Sequence, residues 1–221
     1  MPLHLKTVTP ALKEILYELM DCSLFKPFRL VGGTNLCLRF GYRLSSDIDL
    51  FTDAEYESID FNKIENFLQS KFPFYDCNDK QKIVGMGRAY YIGYDENNII
   101  KLDLMYENDP FLRPEETIEG IRMADVEEIA IMKLDAIYTG GRKKDFWDLH
   151  YLLFDLGMDL YYLIQSHSDR FPYTHDYAEM IQNLLNFDKA DNEPDPICLF
   201  GKSWDLIRMD IIDSVSKLPL P

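Results

Sequence analysis

Apolar and polar positions alternate with two different periods along this chain. Over 10–22 ("PALKEILYELMDC") the apolar residues recur at helical spacing, and Pro10 suits a first helical position. A short apolar run, 28–31, stops at Gly32-Gly33, as a strand does when it turns into a helix. "TNLCLRFG" then predicts a short helix, with Thr34 as its cap and Gly41 as its terminator. "DIDLF" predicts a strand, and 61–71 a helix. From Lys82 to Met105 the period becomes two, which predicts two strands joined at 95–98. The segment 109–120, with Pro110 and Pro114, reads as irregular and as a link between two lobes. Helices are expected at about 125–139, 144–156, 175–187 and 203–217, with 188–196 a polar loop before the last.

These elements describe a mixed α+β fold: a mixed sheet with helices, then a mostly helical half. The expected division is an αβ core over 1–120 and a helical region over 121–221 that completes an active-site cleft. With 221 residues, 47% of them hydrophobic, the chain has ample material for a core. The net charge of −15 argues against a generic nucleic-acid coat protein. Cys22, Cys37, Cys77 and Cys198 show no zinc-ligand spacing and are expected to be reduced, mostly buried thiols of a cytoplasmic protein. No signal peptide or membrane span is evident.

Two aspartates break the apolar run Asp47-Ile48-Asp49-Leu50-Phe51. Side chains alternate along a strand, so Asp47 and Asp49 share one face while Ile48 and Leu50 share the other. Neighbouring carboxylates repel unless a cation stands between them, and magnesium takes such oxygen ligands together with substrate phosphates. Asp103 interrupts a second apolar strand, "IIKLDLMY", in the same way; its alternative is an edge strand with the acid facing solvent. Gly32-Gly33-Thr34 is either an ordinary tight turn or a helix start whose N–H groups cradle a phosphate.

The helices hold charges in the same unexpected manner. Lys133 projects into the stripe of Val126, Ile129, Ala130 and Ile137. Asp145 lies on the axis of the stripe of Leu149, Leu152, Leu153 and Leu156, with Asp148 at its flank. The lysine and aspartate either form a structural ion pair or face a cleft where the lysine neutralises phosphates. Other interpretations fail. An EF-hand starting at Asp47 would need Gly and Glu where Thr52 and Ser58 stand. "GMGRAY" has Tyr90 where a dinucleotide turn needs its third glycine. A glycosyltransferase would need a larger domain before Asp47, and the four histidines suggest no cluster.

Gly32-Gly33-Thr34 followed by Arg43-x-Ser45-x-Asp47-Ile48-Asp49-Leu50 resembles the first motif of the DNA polymerase β-like nucleotidyltransferases, and more narrowly of the AbiEii/AbiGii toxins of type IV toxin–antitoxin and abortive-infection systems. Asp103 matches the second motif, Lys133 and Ala136 the third, and Asp145-x-x-Asp148 the fourth, so the resemblance spans roughly 28–155. It implies a magnesium- or manganese-dependent transfer of NMP from an NTP to an acceptor hydroxyl. Asp47, Asp49 and Asp103 would bind metal, and with Lys133 and Asp145 they would form the catalytic set. Gly32, Gly33, Thr34, Arg43, Ser45, Lys133 and Asp148 would bind the nucleotide, Lys133 offsetting charge on the leaving pyrophosphate. The implied acceptor is RNA, notably tRNA, and the implied partner a cognate antitoxin. The basic cluster Arg142, Lys143 and Lys144 either contacts a phosphate backbone or is a solvated helix start. Two competing functions are a small-molecule nucleotidyltransferase of the aminoglycoside-modifying kind, which suits the acidic surface, and a non-catalytic relative that binds a nucleotide or partner.

Overall fold

The structure, a computed structural model, describes residues 2–77 and 85–219. The part of the predicted strand over 82–84 lies outside these. The chain forms two compact units: Met1–Gly41 with Ser45–Asp125, and Tyr42–Leu44 with Val126–Pro221.

The first unit is built on a seven-stranded mixed sheet. Its strands are β1 (Arg29–Leu30), β2 (Asp47–Thr52), β3 (Phe74–Cys77), β4 (Gly87–Gly93), β5 (Ile99–Tyr106), β6 (Glu116–Ile118) and β7 (Ile121–Met123), in the order β3-β4-β5-β2-β1-β7-β6. β2 pairs parallel with β5, and β1 parallel with β7; the remaining pairs are antiparallel. The strict alternation of β2 and β5 decides which side is core. Ile48, Leu50, Leu102 and Leu104 are fully buried, in a cluster with Leu12, Ile15, Leu16 and Leu19 of helix α1 (Pro10–Asp21) and Ile64 and Leu68 of helix α3 (Phe61–Lys71). Thr9 caps α1 and Asp60 caps α3, each side chain accepting from a backbone N–H of the first turn.

Helix α2 (Gly32–Phe40) starts three residues earlier than a cap at Thr34 predicts. Val31 is its cap residue, so Thr34 lies inside the helix and caps nothing; its hydroxyl turns instead to Ser45 and to the carbonyl of Asp47. Gly41 does terminate the helix, at φ +74°. The segment 109–120 is not simply irregular. β6 lies within it and folds onto β7 as a hairpin at the sheet edge, so the first unit runs on to Asp125. Two prolines and strands of three residues leave too little periodicity to mark that hairpin.

The second unit is helical: α4 (Val126–Tyr138), α5 (Lys143–Phe154), α6 (Leu160–Arg170), α7 (Tyr177–Leu184), α8 (Asp188–Asp191) and α9 (Trp204–Ser216). The sequence pattern does not reveal α6, and α8 occupies a stretch that reads as loop. Ile129, Ala130, Leu134, Phe146, Leu149, Leu152, Leu163, Ile164, Ile207 and Ile211 form the interior. Tyr42–Leu44 joins this unit: Arg43 bridges Cys198, and Leu44 N–H donates to the Ile197 carbonyl at 2.9 Å. The histidines are less dispersed than the sequence suggests, for His167 and His175 meet Nδ1 to Nδ1 at 2.8 Å. The cysteines are free, but only Cys37 is fully buried. Among the described residues no helix is long and apolar enough to cross a membrane.

Candidate active site

In the first unit the parallel pairing of β2 with β5 sets Asp49 directly opposite Asp103 and Asp47 opposite Lys101. These four side chains share the sheet face opposite the core, and all four residues are half-buried. The cost anticipated for acids inside an apolar strand is therefore reduced, because the alternation sends only the aliphatic residues inward. Asp103 Oδ2 accepts from Lys101 Nζ at 2.5 Å, while Asp103 Oδ1 is buried without a hydrogen-bond partner. Lys101 is a residue that sequence reasoning missed. Burial opposes its charge, but Asp103 first, then Asp49 and Asp47, hold its ammonium above the ordinary lysine range. Its visible signal is modest: a cation two residues from an acid on one strand face.

The glycine turn is tied to the second aspartate by close approach. Gly32 has φ +68°, and a Cβ at this position would lie 2.5 Å from Asp49 Oδ2. Both the backbone conformation and the space require glycine there. Val31 N–H donates to the Asp49 carbonyl at 2.9 Å, which seats the first turn of α2 beside Asp49. The first aspartate is held by hydroxyls: Thr34 Oγ1 donates to the Asp47 carbonyl and lies 2.8 Å from Ser45 Oγ, and Ser46 Oγ is 3.2 Å from Asp47 Oδ1. Asn35, buried in α2, donates to the carbonyls of Leu30 and Ala124 at 2.8 and 3.0 Å and accepts from Arg39 Nε at 2.8 Å. It fastens the helix start to the ends of β1 and β7, a role that no sequence pattern marks. The structure thus brings Gly32, Gly33, Thr34, Ser45, Asp47, Asp49 and Asp103 together within one unit.

The remaining predicted residues converge in the second unit. Lys133 of α4 lies 2.8 Å from Asp145 Oδ1 and 2.8 Å from Asp148 Oδ2, both on α5. Arg43 forks onto Asp148, Nε to Oδ1 at 2.6 Å and Nη2 to Oδ2 at 2.8 Å, and the Tyr42 hydroxyl reaches Oδ1 at 2.5 Å. Asp145 Oδ2 also accepts from the Arg142 backbone N–H at 3.1 Å, closing the N-terminus of α5. Asp148, Asp145, Arg43 and Lys133 are 0, 1, 3 and 6% exposed, so these two anions and two cations are desolvated together, with the exposed Arg142 guanidinium joining at Asp145. Burial favours the neutral form of Asp148, yet Arg43 and Lys133 outweigh it and hold the carboxyl below the ordinary range. Burial likewise opposes the charge of Lys133, and Asp148 and Asp145 restore it.

The basic cluster at 142–144 is largely committed. Lys143 is buried, its ammonium 2.8 Å from Asp195 and over the Trp204 ring, and Arg142 Nε lies 3.2 Å from Asp145. Lys143 is therefore neither part of a solvated helix start nor placed to meet a phosphate backbone. Among the described residues no group of three or more His, Cys, Asp or Glu side chains is arranged as a ready metal site.

An uncharacterized protein of Aquifex aeolicus is 28% identical over 189 residues, covering 82% of this chain and 84% of that protein. The fold is shared with two solved structures. JHP933 of Helicobacter pylori matches at a TM-score of 0.59 and 20% identity, covering 96% of this chain and 89% of that one. MenT4, a nucleotidyltransferase toxin of Mycobacterium tuberculosis, matches at a TM-score of 0.59 and 14% identity, covering 94% and 82%. The family model described as nucleotidyl transferase AbiEii toxin, type IV toxin–antitoxin system, matches residues 14–212. With nearly its whole length matched, this chain belongs to the AbiEii family of nucleotidyltransferase toxins.

Proposed function

We propose that this nucleotidyltransferase moves an NMP group from an NTP to an acceptor hydroxyl of RNA, with tRNA the foremost candidate, as a toxin held in check by a cognate antitoxin. The observation that carries the proposal is the register that sets Asp49 opposite Asp103, with Gly32 against the Asp49 carboxylate. Three carboxylates on one face of a parallel strand pair offer oxygen donors of the chemistry that suits magnesium or manganese, which would draw them together. The buried, unpartnered Oδ1 of Asp103 is an acceptor in want of such a partner. Asp47, Asp49 and Asp103 would hold the ion, which when bound supplies charge to offset that of the triphosphate. Gly32, Gly33 and Thr34 open α2, and their backbone N–H groups suit phosphate oxygens. Gly32 leaves that approach open by lacking a side chain. Thr34 and Ser45 serve the site by fixing Asp47.

Lys133, Asp145, Asp148 and Arg43 are assigned first to the framework of the second unit, since each is buried and paired with another of the four. Lys133→Met decides whether this lysine also meets the nucleotide. Loss of transfer with unchanged melting temperature gives it that contact; joint loss of both leaves it in the framework.

A small-molecule acceptor is the second reading. The net charge of −15 and the burial of Lys143 favour a compact cationic acceptor over a long polyanion. Incubating the protein with each α-labelled NTP and cell extract, then separating RNA, protein and small molecules, tests both. Label in RNA supports the first, label on an aminoglycoside panel the second. Unaltered labelling by Asp49→Asn removes the proposed site altogether.

A further inference from the structure

We propose that Lys101 is a built-in counter-cation of the acid cluster, one that holds Asp103 when the site is empty of metal and competes with a divalent ion for it. This rests on the proposed role of Asp47, Asp49 and Asp103 in binding that ion. The register brings Asp49 and Asp103 to opposed positions on neighbouring strands, which lie about 4.7–4.9 Å apart. Carboxylates so close repel one another unless a cation stands between them. Lys101 occupies the same strand face, opposite Asp47 and two residues before Asp103, with its ammonium 2.5 Å from Asp103 Oδ2. Asp103 is the most enclosed member of that ion pair, its side chain 15% exposed against 35% for Lys101. The pair is thus more than a loose surface contact, which would contribute little. A single ammonium offers one charge on a flexible stem, whereas a divalent ion offers two and takes several oxygens at once. An ion entering the cluster therefore has to draw Asp103 away from Lys101, and the lysine raises the metal concentration at which the site fills.

The test needs no turnover. The full-length, metal-stripped protein is titrated with Mn²⁺, then Mg²⁺, without nucleotide, and its melting temperature is followed. Relative to wild type, Lys101→Met is expected to melt lower without metal and to reach half its metal response at about tenfold lower concentration, a coupling ordinary for neighbouring charges. Lys101→Arg, which keeps the charge, is expected to stay near the wild-type midpoint. A midpoint unchanged or raised in Lys101→Met, with the response lost in Asp49→Asn, overturns the counter-cation role while leaving the metal site standing. A wild-type response in Asp49→Asn defeats the metal site itself, and the inference with it. Should Lys101→Met not fold, reductive methylation of the wild-type protein gives an independent readout. Mn²⁺ is expected to increase labelling of Lys101 by several-fold, and labelling indifferent to Mn²⁺ overturns the proposal.

Discussion

Two charged clusters lie in the two units of this protein, and they are built on opposite plans. On the β2–β5 face Asp47, Asp49 and Asp103 share one strand-pair surface with Lys101, and all four residues are half-buried. In the helical unit two carboxylates meet two cations, with at most 6% exposure. A desolvated network must balance its charges, because an uncompensated buried ion costs several kcal/mol. A half-exposed cluster can keep an excess of one sign, and that excess attracts a ligand of the other sign. By this criterion the sheet face suits the cation site proposed for it, and the four buried charges of the helical network suit the framework role proposed for them. Similar residue types in similar apolar surroundings, as read from sequence, therefore end at different depths in the folded protein.

The contrast is broken most forcefully by removing the hub of the balanced network. Asp148→Ala leaves Arg43 and Lys133 buried without their shared partner and is expected to cost about 3–5 kcal/mol, measured by denaturant unfolding. Asp49→Asn at the other cluster should behave in reverse. Transfer should fall about 10²–10³-fold, as when a fixed electrostatic group of an active site is lost, with little change in melting temperature. If Asp49→Asn unfolds the protein, or if Asp148→Ala leaves stability untouched, the distinction between framework and site fails.

Gly32→Ala probes how the sheet cluster is shaped. A Cβ there collides with the Asp49 carboxylate and takes a left-handed backbone that costs about 1–2 kcal/mol. The expected result is a folded protein with weakened nucleotide-dependent stabilisation, read by thermal shift. A variant that binds nucleotide as wild type does would detach the glycine turn from the site.

Acid separates the clusters by a further, smaller effect. The Asp148 and Asp145 carboxyls are held below their ordinary range in the folded state. Their contribution is thus present above the unfolded value of about 3.9 and fades as pH falls through the lower folded values. Wild-type stability should decline below about pH 4. Asp148→Asn, weaker at neutral pH, should decline less steeply, and parallel acid limbs for the two proteins would remove these carboxyls as the cause.

How much of this was legible in the sequence follows the range over which each signal acts. Alternation along a strand is local, so Asp47, Asp49 and Asp103 stood out against Ile48, Leu50, Leu102 and Leu104 before any fold was known. Their pairing is not local. That Asp49 faces Asp103, and not Lys101, depends on the register of two strands joined through more than forty residues. Lys101 gives no such signal, because a lysine on a half-exposed strand face is ordinary until the acids opposite it are placed. Thr34 was expected to cap α2 because its type suits a cap, but the positive φ of Gly32 lets the helix begin earlier. Lys143 looked available in a run of three basic residues, and only tertiary packing against Asp195 and Trp204 withdraws it. The hairpin of β6 and β7 was hidden by the brevity of its strands.

The finest test concerns how Asp47 is held. Thr34 lies at the third position of α2, and its hydroxyl joins Ser45 Oγ to the Asp47 carbonyl. Thr34→Val keeps the side chain's shape in a site that is 1% exposed and removes only the hydroxyl. It leaves a part-buried carbonyl and a serine short of one partner, a loss of about 0.5–1.5 kcal/mol. Melting temperature should therefore drop slightly. Transfer should fall by more than that drop explains, because the lost bond anchors the strand residue that carries one of the three acids. Thr34→Ser, which restores the hydroxyl, should recover transfer while still lacking the buried methyl group. Equal transfer by the valine and serine variants would show that the hydroxyl does not position Asp47, and that the backbone pairing of β1 with β2 suffices to hold the acid cluster in place.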